Sequence, residues 1–279
     1  MPVQKRAAAI HDISCFGRCS LTVALPILSA AGIECSVIPT AVLSTHTGGF
    51  TGYTFNDLSG GILPIAEHWK SLNLSFDAIY TGYLASFEQI DAVSRCIDML
   101  KNDNTLIIVD PVMADNGELY SAIPNNLPEG MRRLCAKADI IVPNMTEAAL
   151  LLNEPYLPGP RTEAETAEIL RGLAALGPGR VVLTGVSYDG ESIGAACYDG
   201  RISCAFAERI DGMFHGTGDV FASVLTAALL RGKPLDKAAE VAVKFTSDCV
   251  RRTKAAAIDE RFGLMFEEGL AGLRGMTEG

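Results

Sequence analysis

Short runs of apolar, largely β-branched residues recur at 7–13, 35–39, 78–81, 105–110, 140–142 and 181–184, and each reads as a buried strand. Between them the apolar positions change to a spacing of three and four, which predicts helices over 87–101 and 163–176. Strand and helix alternating in this way predict an α/β protein, with a mainly parallel central sheet flanked by helices on both faces. The texture changes at 192–207, "SIGAACYDGRISCAFA", where Asp199 and Gly200 sit between two alternating runs. That pattern predicts a β-hairpin at one edge of the sheet. Beyond it the chain reads as helical over 217–230, 235–252 and 261–273. No internal repeat or low-complexity linker interrupts the pattern, and the Pro/Gly-rich "NEPYLPGPRTE" (153–163) reads as a connection between two helices. Residues 1–279 are therefore expected to form a single domain.

Composition narrows the partners. Of 279 residues, 48% are hydrophobic and 20% charged, enough to build a sizeable core. The formal net charge of -10 disfavours nucleic acid or an anionic membrane surface as the main partner. An anionic ligand then has to be held locally, by backbone amides or a metal ion. The N-terminal "MPVQKRAAAIHDIS" carries too short an apolar run for a signal peptide, and no stretch approaches the ~18 apolar residues of a membrane span. A soluble, cytoplasmic protein is expected. The eight cysteines (15, 19, 35, 96, 135, 197, 204 and 249) are scattered without a CxxC pair, so most are expected to be buried, reduced thiols.

Ligands of open parallel sheets collect at the carboxyl ends of the strands. The fourth predicted strand runs into "VDPVMADNG", which puts Asp110 at the sheet edge and Asp115 five residues on. The fifth runs into "VPNMTEA", with Asn144 and Glu147 at the start of a helix that Thr146 can cap. The sixth ends in "LTG", with Thr184. Taken singly, an Asp before Pro closes turns and an acid in a first helical turn complements the dipole. Their coincidence on one rim suits a hydrated magnesium ion and a phosphorylated nucleotide.

One stretch sharpens this, "MFHGTGDVFASVLTAALLRG" (213–232). Val220, Phe221, Val224, Leu225, Ala228 and Leu229 repeat on one helical face, and Gly232 with Pro234 ends the helix. Its start at about Thr217–Asp219 offers free amides and the positive dipole end to an anion, and glycines let the backbone approach closely. Asp219 there is either a mild helix stabiliser or a base placed to take a proton from a hydroxyl attacking phosphorus. A dinucleotide-binding fold expects its glycines after the first strand, but "HDISCFGRCSL" has only Gly17.

With "HGTGD", "DPVM", "VPNMTEA", "LTG" and the early "STHTGGF", the chain resembles the ribokinase superfamily from about His11 to Arg252. It is most similar there to the pyridoxal, pyridoxine and pyridoxamine kinases of vitamin B6 salvage. The resemblance implies a ribokinase-like fold, transfer of the ATP γ-phosphoryl group to the 5'-hydroxymethyl of a pyridine, Mg2+ with ATP, an optional monovalent cation, and a homodimer. It implies Asp219 as general base and Gly216, Thr217 and Gly218 as the anion hole. Asp110, Asp115, Asn144 and Glu147 would handle magnesium and phosphates, with Asp115 and Glu147 as the metal ligands and Thr184 on the nucleotide. His46, Thr47 and Tyr83 are implied ring contacts, and the family's first-turn serine falls on Ser14 by the DxS pattern or on His11 by spacing from Pro26.

Alternatives follow from the same residues. The hydroxymethylpyrimidine kinases of thiamine synthesis share the architecture, and some carry a cysteine where this chain has Asp219. A non-catalytic B6 or nucleotide carrier on the same scaffold is the third reading. Cys15 and Cys19 are read as small core residues near the vitamin pocket, His215 as a packing or capping residue, and His68 as a helix-surface or dimer-contact residue. "HTGGFTGYTFND" (46–57) is expected to be a mobile flap that excludes water.

Overall fold

The computed structural model describes residues 4–278. The chain opens with β1 (Arg6–Ser14), α1 (Leu21–Ala30), β2 (Glu34–Leu43), β3 (Phe55–Asp57) and α2 (Ser59–Ser71). Next come β4 (Ala78–Thr81), α3 (Phe87–Leu100), β5 (Leu106–Val109), and a short pair, β6 (Ala114–Asp115) and β7 (Glu118–Leu119). They lead to α4 (Leu127–Cys135), β8 (Ile140–Ile141), α5 (Met145–Leu152), α6 (Glu163–Ala174) and β9 (Arg180–Val186). β10 (Ser192–Tyr198), β11 (Ile202–Glu208), α7 (Thr217–Leu230), α8 (Leu235–Ala255) and α9 (Leu270–Thr277) complete the order.

Nine strands make one sheet in the order β11-β10-β9-β8-β5-β4-β1-β2-β3. The six central strands, β9 through β2, are parallel, β10 and β11 form the expected edge hairpin, and β3 closes the other edge antiparallel. Successive residues of the central strands alternate between two cores. Ile10, Ile79, Ile107, Ile141, Val181 and Leu183 face one, while Ala78, Tyr80, Ile108, Ile140 and Val182 face the other. Burial on both faces explains why these strands read as continuous apolar runs rather than as alternation. Helix α7 lies in the second core and is buried around most of its circumference, Ser223 and Thr226 included, so the single apolar face read from the sequence understates it. Each large aliphatic side chain it buries contributes about 1.5–3 kcal/mol, which makes α7 a rigid support for whatever its first turn carries.

Two expectations are corrected. The helix over 261–273 gives way to two short 3-10 turns, Glu260–Phe262 and Glu267–Gly269, before α9. Gly263 adopts φ +82°, and a Cβ there would sit 2.6 Å from the Arg18 carbonyl, so the chain passes against the first turn of the molecule instead of continuing as helix. The strand over 35–39 runs on to Leu43, because Pro39 lies where the β1–β2 register shifts between His11 and Ile13 and its missing N–H is tolerated.

Candidate active site

The carboxyl ends of β1, β4, β5 and β8, the middle of β9 and the start of α7 gather the predicted residues at one end of the sheet. The Asp110 amide donates to the Thr81 carbonyl (3.0 Å) and the Thr184 amide to the Pro143 carbonyl (2.9 Å), while an isolated bridge pairs Asn144 with Thr184. These backbone links hold Asp110, Asn144 and Thr184 on adjacent chain ends.

Asn144, not Thr146, caps α5. Its Oδ1 accepts from the amides of Thr146 (2.8 Å) and Glu147 (2.9 Å), and the Glu147 carboxylate returns to the Asn144 amide (2.8 Å), a complete capping box. The Thr146 hydroxyl instead accepts from the Gly117 amide (3.0 Å), and Asn144 Nδ2 donates to the Ala114 carbonyl (2.8 Å). Both bonds tie α5 to the β6–β7 hairpin, whose two turn residues Asn116 (φ +50°) and Gly117 (φ +86°) form the Asn-Gly turn that hairpins favour. The hairpin presents Asp115 in the open, with its carboxylate accepting from the Asn116 amide (2.9 Å) and side chain (3.1 Å).

At the start of α7, Gly216 is the N-cap at φ +76°, and a Cβ there would strike the Arg18 carbonyl. Only glycine meets both conditions. No side chain caps this helix, so its first amides are left free for a ligand, and a Cβ on Gly218 would meet open space. Asp219 in that first turn is half-buried. Burial pushes its carboxyl up to about 7 and the nearby Asp12 charge adds to this, while the Ser20 amide pulls the other way.

The acids reinforce one another. Burial, then the charges of Glu147 and Asp219, hold Asp110 well above the usual carboxylate range. Burial pushes Glu147 up to about 8 against the pull of the Asn144, Met113 and Ala114 amides. Among the described residues no ion pair involves Asp12, Asp110, Asp115, Glu147 or Asp219. Nor do three His, Cys, Asp or Glu side chains among them stand close enough to hold a metal alone. Buried carboxylates without a cation beside an uncapped helix start suit a hydrated divalent ion shared with the phosphates of a nucleotide, an arrangement needing only one or two protein carboxylates.

The implied vitamin-side residues are arranged less simply. Ser14 is fully buried and its hydroxyl donates to Asp12 Oδ2 (3.2 Å), so the chain directs it to an acid of its own. His11 is also fully buried, with its ring edge-on to Tyr80 at 4.4 Å and neither nitrogen partnered, and burial pushes its pKa down to about 3. Tyr83 is buried with an unpartnered hydroxyl. Thr47 is half-buried, and His46 has both ring nitrogens engaged, to the Arg261 carbonyl (2.6 Å) and from the Gly48 amide (3.2 Å). Cys15 is exposed and Cys19 buried, and the described cysteines are free thiols of which five are buried. His68 lies exposed on α2; the expected 46–57 flap is shorter than read, because Phe55–Asp57 pair with β2 as β3, and His215 packs against the remaining 45–53 segment without capping α7.

Two site residues escaped the sequence reading. Asp12, buried beside Ser14, was signalled only by the DxS pattern. Arg261, reaching His46 across 215 residues of chain, left no local signal.

Residues 28–264 match the model of the phosphomethylpyrimidine kinase family. A pyridoxine/pyridoxal/pyridoxamine kinase of Bordetella avium is 30% identical over 86% of this chain and 83% of its own. A Bacteroides thetaiotaomicron protein crystallised with pyridoxal superposes with a TM-score of 0.92 at 39% identity, over 97% of this chain and 96% of that one. The pyridoxal kinase of Lactobacillus plantarum gives 0.89 at 33% identity over 98% of both chains. Among the described residues no helix is long and apolar enough to cross a membrane.

Proposed function

We propose, because this chain belongs to the phosphomethylpyrimidine kinase family, that it transfers the γ-phosphoryl group of ATP to the 5'-hydroxymethyl of a vitamin B6 vitamer. The observation that carries this reading is the place of Asp219, in the first turn of a deeply buried helix that no side chain caps, where burial pushes its carboxyl up to about 7. A carboxylate of that proton affinity is suited to accept a hydroxyl proton near neutral pH, far better than one at the usual value near 4.

In this mechanism Asp219 orients the vitamer hydroxyl and takes its proton as the oxygen attacks phosphorus. The amides of Gly216, Thr217, Gly218 and Asp219 donate to the oxygens of the transferring phosphoryl, where negative charge is held in the transition state. Asn144 and Thr184 border the nucleotide. Asp115 and Glu147 would hold magnesium, with Asp110 adding charge behind them, and the ion would neutralise phosphate charge. The 45–53 segment covers the vitamer and keeps water from the phosphoryl group. Ser14 acts through Asp12, while Thr47 and Tyr83 border the ring.

A second reading, hydroxymethylpyrimidine kinase, is favoured by membership of the phosphomethylpyrimidine kinase family. Steady-state kinetics with ATP, Mg2+ and a panel of pyridoxal, pyridoxamine, pyridoxine and hydroxymethylpyrimidine separate the two. A kcat/KM at least tenfold higher for a B6 vitamer is expected. The reverse order assigns the chain to the pyrimidine, and no phosphorylation of any of the four removes the kinase reading.

A further inference from the structure

Three sets of contacts tie down the 45–53 segment, two of them through Arg261 and Phe262 and one through His215. The Gly48 amide donates to His46 Nδ1 (3.2 Å) and His46 Nε2 lies 2.6 Å from the Arg261 carbonyl, an arrangement that requires the neutral ring with its proton on Nε2. The Arg261 guanidinium lies over Phe50 at 5.4 Å and pairs with Asp259, and Phe262 stacks on Phe50 with ring centroids 6.4 Å apart. The third tie is His215. Its ring centroid lies 5.2 Å from that of His46, and a Cβ on Gly48 would sit 2.7 Å from its Nδ1. His215 is also bonded directly to Gly216, the N-cap of α7. One imidazole therefore touches the flap on one side and continues covalently into the anion cradle on the other.

We propose that His215 is a positioning residue that couples the flap to the phosphoryl cradle, so that ordering 45–53 over the vitamer also sets the amides of α7 for the nucleotide. The inference rests on the phosphotransfer reading for the identity of the two ligands, and on contacts within the chain for the coupling itself. His46 is the flap half of the lock. Because Gly48 leaves no space between its backbone and the His215 ring, movement of one displaces the other. Coupling of this kind is reciprocal, since whatever factor the vitamer adds to nucleotide affinity the nucleotide adds to vitamer affinity.

The test is a binding cycle on the full chain. Affinity for a non-hydrolysable ATP analogue is measured with and without saturating pyridoxine, alongside hydrogen exchange of 45–53. The wild-type protein is expected to bind the analogue about fivefold or more tightly with the vitamer present, and the analogue alone to slow exchange in 45–53. In His215→Ala the ratio falls to about one and that protection disappears, His215→Gln recovers part of both, and vitamer-independent ATP hydrolysis rises relative to vitamer phosphorylation. Gly48→Ala, which places a methyl in the ring, is expected to act in the same direction and serves if His215→Ala does not fold. A purely structural His215 would weaken both ligands and leave their ratio unchanged, and that outcome overturns the coupling. Absence of phosphotransfer in the wild type would instead sink the functional reading, leaving the exchange data to judge the lock.

Discussion

The half-buried Asp219 begins α7 and the buried Asp12 lies near the end of β1, and the negative charge of Asp12 adds to the desolvation that raises Asp219 to about 7. A base must be ionised to act, so kcat/KM, which follows the free enzyme, is expected to fall as pH drops through about 7. Asp12→Asn removes the like charge, so that acid limb should move to lower pH. A limb that stays in place in pH–rate profiles would show that Asp12 does not act on Asp219. Much of this site was legible in the sequence, because an anion cradle at a helix start is a local pattern of glycines, an acid and an apolar helix within twenty residues. What was not legible depends on distant pairing. Neither the engagement of Ser14 by Asp12 nor the capture of His46 by Arg261 follows from spacing, and both turn expected ring contacts inward.

At the scale of elements, α7 begins with a glycine in the left-handed region pressed on the Arg18 carbonyl. Gly216→Ala is therefore expected to destabilise the fold by roughly 1–2 kcal/mol from the backbone conformation alone, with more from the contact. Thermal unfolding checks this, and an unchanged Tm would mean the turn relaxes freely. The six central parallel strands are legible, although β2 reads as ending at Pro39, because burial on two faces gives unbroken apolar runs, whereas the three exposed residues of the edge strand β3 carry no such signal. Helices α1 and α2 were missed for a physical reason. Each contains an internal proline, Pro26 or Pro64, and α2 also carries Gly60 and Gly61 in its first turn, so packing on the sheet overrides poor local propensity. The β6–β7 hairpin was missed although its Asn-Gly turn is a strong signal, since its strands are two residues each and carry no period.

For the molecule as a whole, a cluster of acids without cations makes stability depend on pH and on metal. Glu147 and Asp219 have folded pKa values raised to about 8 and about 7, against about 4 when unfolded. The folded state thus binds more protons across that window, and stability without ligands is expected to rise as pH is lowered from about 8.5 to about 7. His11, pushed down to about 3, opposes this only below about 6.5, where the unfolded chain takes up its proton. Mg2+ with nucleotide should raise Tm more at the higher pH, where the carboxylates are ionised. Equal increments at both would contradict the placement of the ion among these acids. If this end of the sheet phosphorylates a B6 hydroxymethyl with Asp219 as base, pyridoxal 5'-phosphate formation from pyridoxal, ATP and Mg2+ separates wild type from Asp219→Ala. The expected result is turnover by the wild type and a loss of 10²-fold or more in kcat for the variant, with its nucleotide affinity kept within a fewfold. Retention by the variant of more than about a tenth of the wild-type kcat would contradict it.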